Sequence, residues 1–153
     1  MSGRTVLCVG AVLRGDDAAG PYLAKLFEQQ PAEGWDVIDG GQVPEDFIGL
    51  VRRNEPDELV VVDAAAMGLE PGAVRTLTKD DVHSDYLMTT HSLPLTYLLS
   101  ELEGCCGHVL FLGIQPAQLE FFSPLTPEVL QAVEWIHARF VDGGDFSDVP
   151  AVA

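Results

Sequence analysis

The sequence predicts an α/β fold, a three-layer sandwich in which a twisted, mostly parallel five-stranded sheet lies between helices on both faces. Three observations carry this prediction. Short apolar runs alternate along the chain with longer amphipathic stretches. The runs at residues 5–9, 58–63 and 108–114 are apolar almost throughout, as strands buried on both faces require. The amphipathic stretches can serve as crossover helices, and such crossovers make neighbouring strands parallel.

Thr5, Val6, Leu7, Cys8 and Val9 form the first expected strand, ended by Gly10. A loop over residues 11–20 follows. Pro21 suits the first turn of a helix, where its missing N–H costs nothing. That helix is expected to run to about Gln30, with Leu23, Leu26 and Phe27 on its apolar face. Residues 35–39 read as a second strand, stopped by Gly40 and Gly41. Residues 45–53 read as a helix that Pro56 closes off. Residues 58–63 are the clearest strand, with Val60, Val61 and Val62 at its centre. Pro71 and Gly72 mark a turn, after which residues 73–77 suit a short edge strand. Residues 94–103 read as a helix and 108–114 as another buried strand. Thr126, Pro127 and Glu128 make a helix start, with Thr126 as N-cap and the acid in the first turn. This last helix should reach Val141. The tail, residues 142–153, is acidic and glycine-rich and is expected to fray. The whole of residues 1–153 is expected to form one domain.

The 24 acidic and 8 basic residues leave a formal charge of −16. Nucleic-acid affinity rests on Lys and Arg neutralising phosphates, so this balance argues against it. It argues equally against an anionic membrane surface. It permits metal ions or a basic protein partner, and much of it serves as solvated surface. No apolar run approaches the roughly 18 residues of a membrane span, and no secretory signal opens the chain. Cys8 reads as a small core residue. Cys105 and Cys106 are sequence neighbours, a poor geometry for a structural disulfide. These features suit a protein of the reducing cytoplasm.

Three strands run into acids. The first leads to Asp16 and Asp17, the second ends at Asp39 and the third at Asp63. In a parallel sheet these ends share one edge, where ligands of open α/β sheets bind. Carboxylates brought close cannot all stay ionised without compensation, and a cation or a shared proton supplies it. Helix capping is the alternative role for each acid taken singly. His91, in a loop before a predicted helix, adds an imidazole. Imidazole with carboxylates suits nickel, zinc or iron(II). Among the other histidines, His108 begins a strand, His137 lies within the last helix and His83 follows an acidic run. None has paired-ligand spacing.

Other chemistries lack their motifs. Gly10 and Gly15 are not followed by the Lys-Ser/Thr of a phosphate-binding loop, nor do they make G-x-G-x-x-G. Asp39 imitates a ribose-binding acid, but Asp16 and Asp17 would repel a pyrophosphate. There is no G-x-S-x-G elbow, and no cysteine has an activating histidine nearby in sequence.

The run Val9-Gly10, Gly15-Asp16-Asp17-Ala18-Ala19-Gly20-Pro21 resembles the opening motif of the hydrogenase maturation endopeptidases. Ile38-Asp39-Gly40-Gly41 and Val62-Asp63-Ala64 are similar to their second and third motifs. Met88-Thr89-Thr90-His91-Ser92-Leu93-Pro94 and Phe111-Leu112-Gly113-Ile114-Gln115-Pro116 are similar to the fourth and fifth. The likeness covers roughly residues 4–140 in order, and is nearest to the branch serving formate-hydrogenlyase-type [NiFe] hydrogenases. It implies an endopeptidase that removes a C-terminal extension from the large-subunit precursor once nickel is in place.

The resemblance also implies the site. Asp17, Asp63 and His91 match the metal-contacting positions, and Asp39 matches an acid the family needs nearby. The metal would be nickel carried in by the precursor, with other divalent ions able to take its place. Asp16, Asp17 and Asp39 are the candidate catalytic acids, acting either beside a metal that activates water or as a general base. The partner implied is the hydrogenase precursor, met by a monomer. Two departures stand out: Ala11 replaces a usual Asn, and Ala18 a usual Gly. Ala18 would be strained if its position needed a positive φ. The rival reading is a nickel-binding chaperone or carrier without peptidase activity, and a nucleotide-binding regulator is a third.

Overall fold

The computed structural model describes residues 3–78, 80–81 and 95–152. Five strands form one sheet in the order β2-β1-β3-β5-β4. They are β1 (Arg4–Val9), β2 (Asp36–Gly41), β3 (Glu58–Ala64), β4 (Val74–Leu77) and β5 (His108–Ile114). The first three and β5 run parallel, and the short edge strand β4 runs antiparallel to β5. The mostly parallel five-stranded sheet expected from the apolar runs is therefore present.

Among the described residues, these helices cover it: α1 (Ala19–Gln29), α2 (Ile48–Asn54), α3 (Leu95–Glu103) and α4 (Pro127–Val141). Side chains alternate along a strand, so β1 feeds two cores. Val6 and Cys8 pack with Leu23 and Phe27 of α1 and with Val133, Ile136 and Phe140 of α4. Leu7 and Val9 pack with Ile48 and Val51 of α2 and with Leu98, Leu99 and Leu102 of α3. Arg52 of α2 pairs with Glu101 of α3 across the second layer.

Single 3-10 turns introduce two of the helices. Residues Gly15–Ala18 form one before α1, and Pro44–Phe47 form another before α2. Helix α1 thus begins two residues before Pro21. The chain tail differs from the frayed segment expected from its composition. Phe146 and Val149 are buried in the α1/α4 core, and Phe146 stacks edge-on against Phe140 at 4.9 Å between ring centroids. Arg139 grips both carboxylate oxygens of Asp148 at 2.7 Å. Beyond it, Thr76 and Val152 donate backbone hydrogen bonds to Pro150 and Thr76, at 3.0 and 3.1 Å. Two apolar anchors and an unpaired sheet edge thus capture a segment that reads as polar.

The topology also locates a site. From β1 the chain moves to β2 on one side, and β3 lies on the other. The crevice where an open sheet reverses direction lies at the carboxyl ends of such a pair of strands. Here it opens between β1 and β3.

Candidate active site at the carboxyl ends of β1 and β3

Gly10 ends β1 with φ of 149°, a conformation L side chains rarely adopt, and a Cβ there would lie 2.0 Å from the carbonyl oxygen of Asp17. The loop after β1 can therefore fold back onto the strand it leaves. Gly20 tightens the same junction: a Cβ there would meet the Val9 carbonyl oxygen at 2.1 Å. These two close approaches set the Gly15–Ala18 turn over the edge of the sheet.

Asp16 and Asp17 are buried in that turn. Neither caps the turn or α1 with its side chain, so the capping alternative does not describe them. Asp16 is wholly buried. Its Oδ2 accepts from the backbone N–H of Ala117 (2.8 Å) and Gln118 (3.2 Å), and its Oδ1 from the N–H of Thr126 (2.7 Å). The Thr126 hydroxyl lies 3.1 and 2.9 Å from the two oxygens. Asp16 thus ties the β1 loop to the segment after β5. Thr126 does not cap α4 with its side chain as expected, because its hydroxyl is turned to Asp16. The Asp16 backbone N–H adds a bond to the Gln118 carbonyl at 2.9 Å.

Asp17 accepts a hydrogen bond at Oδ2 from the N–H of Ala11 at 3.1 Å. That bond needs only a backbone amide, so Ala11 meets it without the Asn side chain of the family pattern. Ala18 has φ of −79°, so the position asks for no glycine. Asp63 is buried at the end of β3 and accepts at Oδ1 from the N–H of Ala64 at 2.7 Å. Beyond it, the Gln115 carboxamide oxygen accepts from the N–H groups of Met67 (2.7 Å) and Leu69 (3.2 Å), which orders the loop leaving β3.

Strand alternation assigns Asp63 to the α2/α3 face, since Leu59 and Val61 pack there and Val60 and Val62 pack on the other. Asp39 differs. It pairs in register with Cys8, whose side chain lies in the α1/α4 core. It is exposed, and it lines an open cleft of about 380 Å³ with Val12, Ala18, Lys25, Glu28 and Leu125. The four acids share one sheet edge, but Asp39 and Asp63 address opposite faces of it. The loop carrying Asp17 runs between them. His91, the proposed imidazole, lies outside the described residues, as does His83. His137 packs between α4 and α1, with Nε2 2.8 Å from the Gln30 carbonyl. His108 is exposed at the start of β5, away from this edge.

Cys8 and Cys106 are poor nucleophiles. Burial, with the Asp39 carboxylate adding to it, raises the Cys8 thiol well above its ordinary value. Burial and a contact with Cys105 push Cys106 up to about 12. Cys105 and Cys106 are both free, with sulfurs 3.6 Å apart. No described helix is long and apolar enough to cross a membrane.

Sequence reasoning assigned no role to Thr126 and Gln115 beyond a cap and a motif position. Both work through loop amides, a role no spacing rule announces. What the edge offers is three buried carboxylates, Asp16, Asp17 and Asp63, and the exposed Asp39; among the described residues no group of three or more His, Cys, Asp or Glu side chains is gathered closely enough to hold a metal ion.

Comparison with known proteins identifies the family. Residues 21–142 match the family described as hydrogenase maturation protease. The chain is 45% identical over 134 residues to the hydrogenase 3 maturation protease of Escherichia coli strain K12, covering 88% of this chain and 86% of that protein. The solution structure of the endopeptidase HycI from Escherichia coli superposes with a TM-score of 0.91 at 40% identity, covering 100% of this chain and 97% of that one. The hydrogenase maturating endopeptidase HybD from E. coli gives a TM-score of 0.70 at 25% identity, over 92% of this chain and 93% of that one. The family match over most of the chain, the identity to a curated maturation protease and the shared fold lead to one conclusion: the chain belongs to the hydrogenase maturation protease family and is an endopeptidase.

Proposed function

We propose that this endopeptidase removes the C-terminal extension of a [NiFe] hydrogenase large-subunit precursor and acts on the nickel-loaded form. The observation that carries the reading is the pair of buried carboxylates, Asp17 and Asp63, at the crevice between β1 and β3. Buried carboxylates are costly unless a cation or hydrogen bonds compensate them. Each accepts a hydrogen bond from a backbone amide, which holds its carboxylate at the edge of the sheet. Oxygen donors joined by the His91 imidazole suit nickel. His91 precedes α3 in the chain, and α3 packs on the face that Asp63 addresses.

In this scheme nickel arrives as part of the substrate. Asp17, Asp63 and His91 complete its coordination from the protease side and so distinguish loaded from empty precursor. Asp39 is the exposed acid of the four and borders the open cleft. That exposure supports reading Asp39 as the general base that takes a proton from water attacking a peptide in the cleft. Asp16 holds the loop in place, since both of its oxygens are committed to amides and the Thr126 hydroxyl.

Incubation of the purified protein with nickel-loaded and nickel-free precursor tests the reading. A shortened product should appear from the loaded form alone. Cleavage indifferent to nickel, or one that survives Asp17→Ala, would overturn the recognition scheme.

A further inference from the structure

Two loops meet beside the Asp16–Asp17 turn, and together they expose apolar side chains. Val12 and Leu13 are 66% and 55% exposed, and Phe121 and Phe122 are 64% and 83% exposed. The loops are stitched together. The Phe122 N–H donates to the Leu13 carbonyl at 2.7 Å, and Arg14 Nε donates to the Leu119 carbonyl at 3.2 Å. The Arg14 guanidinium lies 5.0 Å from the centre of the Phe121 ring, and the two phenylalanine rings are 6.3 Å apart. Asp16 fastens both loops from beneath, through Ala117, Gln118 and Thr126.

Phe122 has φ of 65°, in the left-handed region that disfavours a bulky side chain. The chain holds an aromatic ring in water on a strained backbone and gains little packing within the molecule. Adjoining apolar side chains in a held arrangement mark an interaction surface more often than chance exposure. Aromatic residues and arginine are also the usual anchors of protein interfaces.

We infer that Val12, Leu13, Phe121 and Phe122, with Arg14, form the docking surface for the folded body of the precursor protein. This rests on the precursor-processing reading above, and names the contact that brings a protein substrate to that edge. Two features point to this occupant. The patch is continuous with the active-site loop, since Val12 also lines the cleft bordered by Asp39. Its tie through Asp16 makes the patch and Asp17 parts of one held unit, so docking sets the distance from the substrate body to the site. The acidic chain, at −16, disfavours an anionic membrane and suits a protein partner with basic residues around an apolar centre.

The test measures binding and cleavage separately on nickel-loaded precursor. Binding is read by surface plasmon resonance with wild type, the double variant Phe121→Ser/Phe122→Ser, and Phe122→Gly. Loss of an aromatic anchor should weaken Kd by about 30-fold or more. Phe122→Gly relieves the positive φ, so its Tm should equal or exceed that of wild type while its binding falls. A purely structural role for Phe122 would not give that combination. Kd values within about twofold of wild type for both variants would overturn the proposal. So would a wild-type dimer that Phe122→Gly dissociates in sedimentation, or capture by neutral vesicles that the same change abolishes. Wild type that binds but does not cut would sink the precursor-processing reading and leave the docking surface standing. Wild type that cuts, with variants that still bind, would do the reverse.

Discussion

Asp16 and Asp17 are adjacent, yet their surroundings differ. Asp16 gathers three backbone amides and one hydroxyl into a fully buried carboxylate. Asp16→Ala leaves those donors unmet, at about 1–3 kcal/mol for a single stranded group and more for several. It should therefore lower stability by about 3 kcal/mol or more in urea denaturation, and lose activity because the loop is lost. Asp63→Asn should behave otherwise: unchanged or slightly higher stability, and lost discrimination between loaded and empty precursor. Asp39→Asn should lower kcat by about 100-fold or more while precursor affinity is kept, as expected for a general base. A parallel loss of binding in Asp39→Asn would remove it from the base role. The sequence showed which acids end the strands. It did not show which face each addresses, because that depends on the register of β1 with β2 and on the irregularity between Cys8 and Val9. Nor did it show the role of Asp16, whose partners lie more than a hundred residues along the chain. Cys8 gives a test free of substrate. Its thiol is raised by burial and then by Asp39, above an ordinary value of 9.0. A raised folded-state value stabilises the fold below the unfolded value, and that stability is lost as pH climbs from about 9 toward the folded value. The fall in stability above about pH 9 should thus be shallower in Cys8→Ala than in wild type, whatever the constant offset from the lost sulfur.

At the scale of elements, the junction of β1 with α1 depends on two places where a side chain cannot fit. Gly20→Ala would press a methyl into the backbone of Val9, at 2.1 Å from its oxygen. Overpacking against backbone costs about 1–3 kcal/mol, and here it would also displace Asp17. Thermal unfolding should show the first effect, and precursor cleavage a larger one. The tail behaves as an element too. Phe146→Ala removes a ring from the α1/α4 core and should cost about 3–5 kcal/mol. If the tail were frayed, urea denaturation would show almost no change. The strands and helices were legible because each carries a periodic apolar pattern. The tail was not, because two anchors spaced among glycines and aspartates make no period. Its hold comes from the Arg139–Asp148 pair and from the edge of β4, both set by tertiary contact.

At the scale of the whole molecule, 24 acids against 8 basic residues act on folding and on association in opposite directions. Self-repulsion destabilises a compact chain of high net charge, and salt screens it over a Debye length of about 10 Å at 0.1 M. Raising sodium chloride from about 10 mM to about 200 mM should therefore raise Tm. The same screening removes long-range attraction to a basic partner, so the association rate with precursor should fall over that range while dissociation changes little. An apolar docking patch explains the second half of that expectation, because contacts made by Phe121 and Phe122 are set by burial and do not weaken as salt rises. Stopped-flow association against a Tm series in the same buffers separates the two effects. If salt slowed association and lowered Tm together, the surface charge would be organised into stabilising pairs, and the acidic surface could no longer be read as the feature that steers a basic partner toward the edge where Asp17 and Asp63 lie.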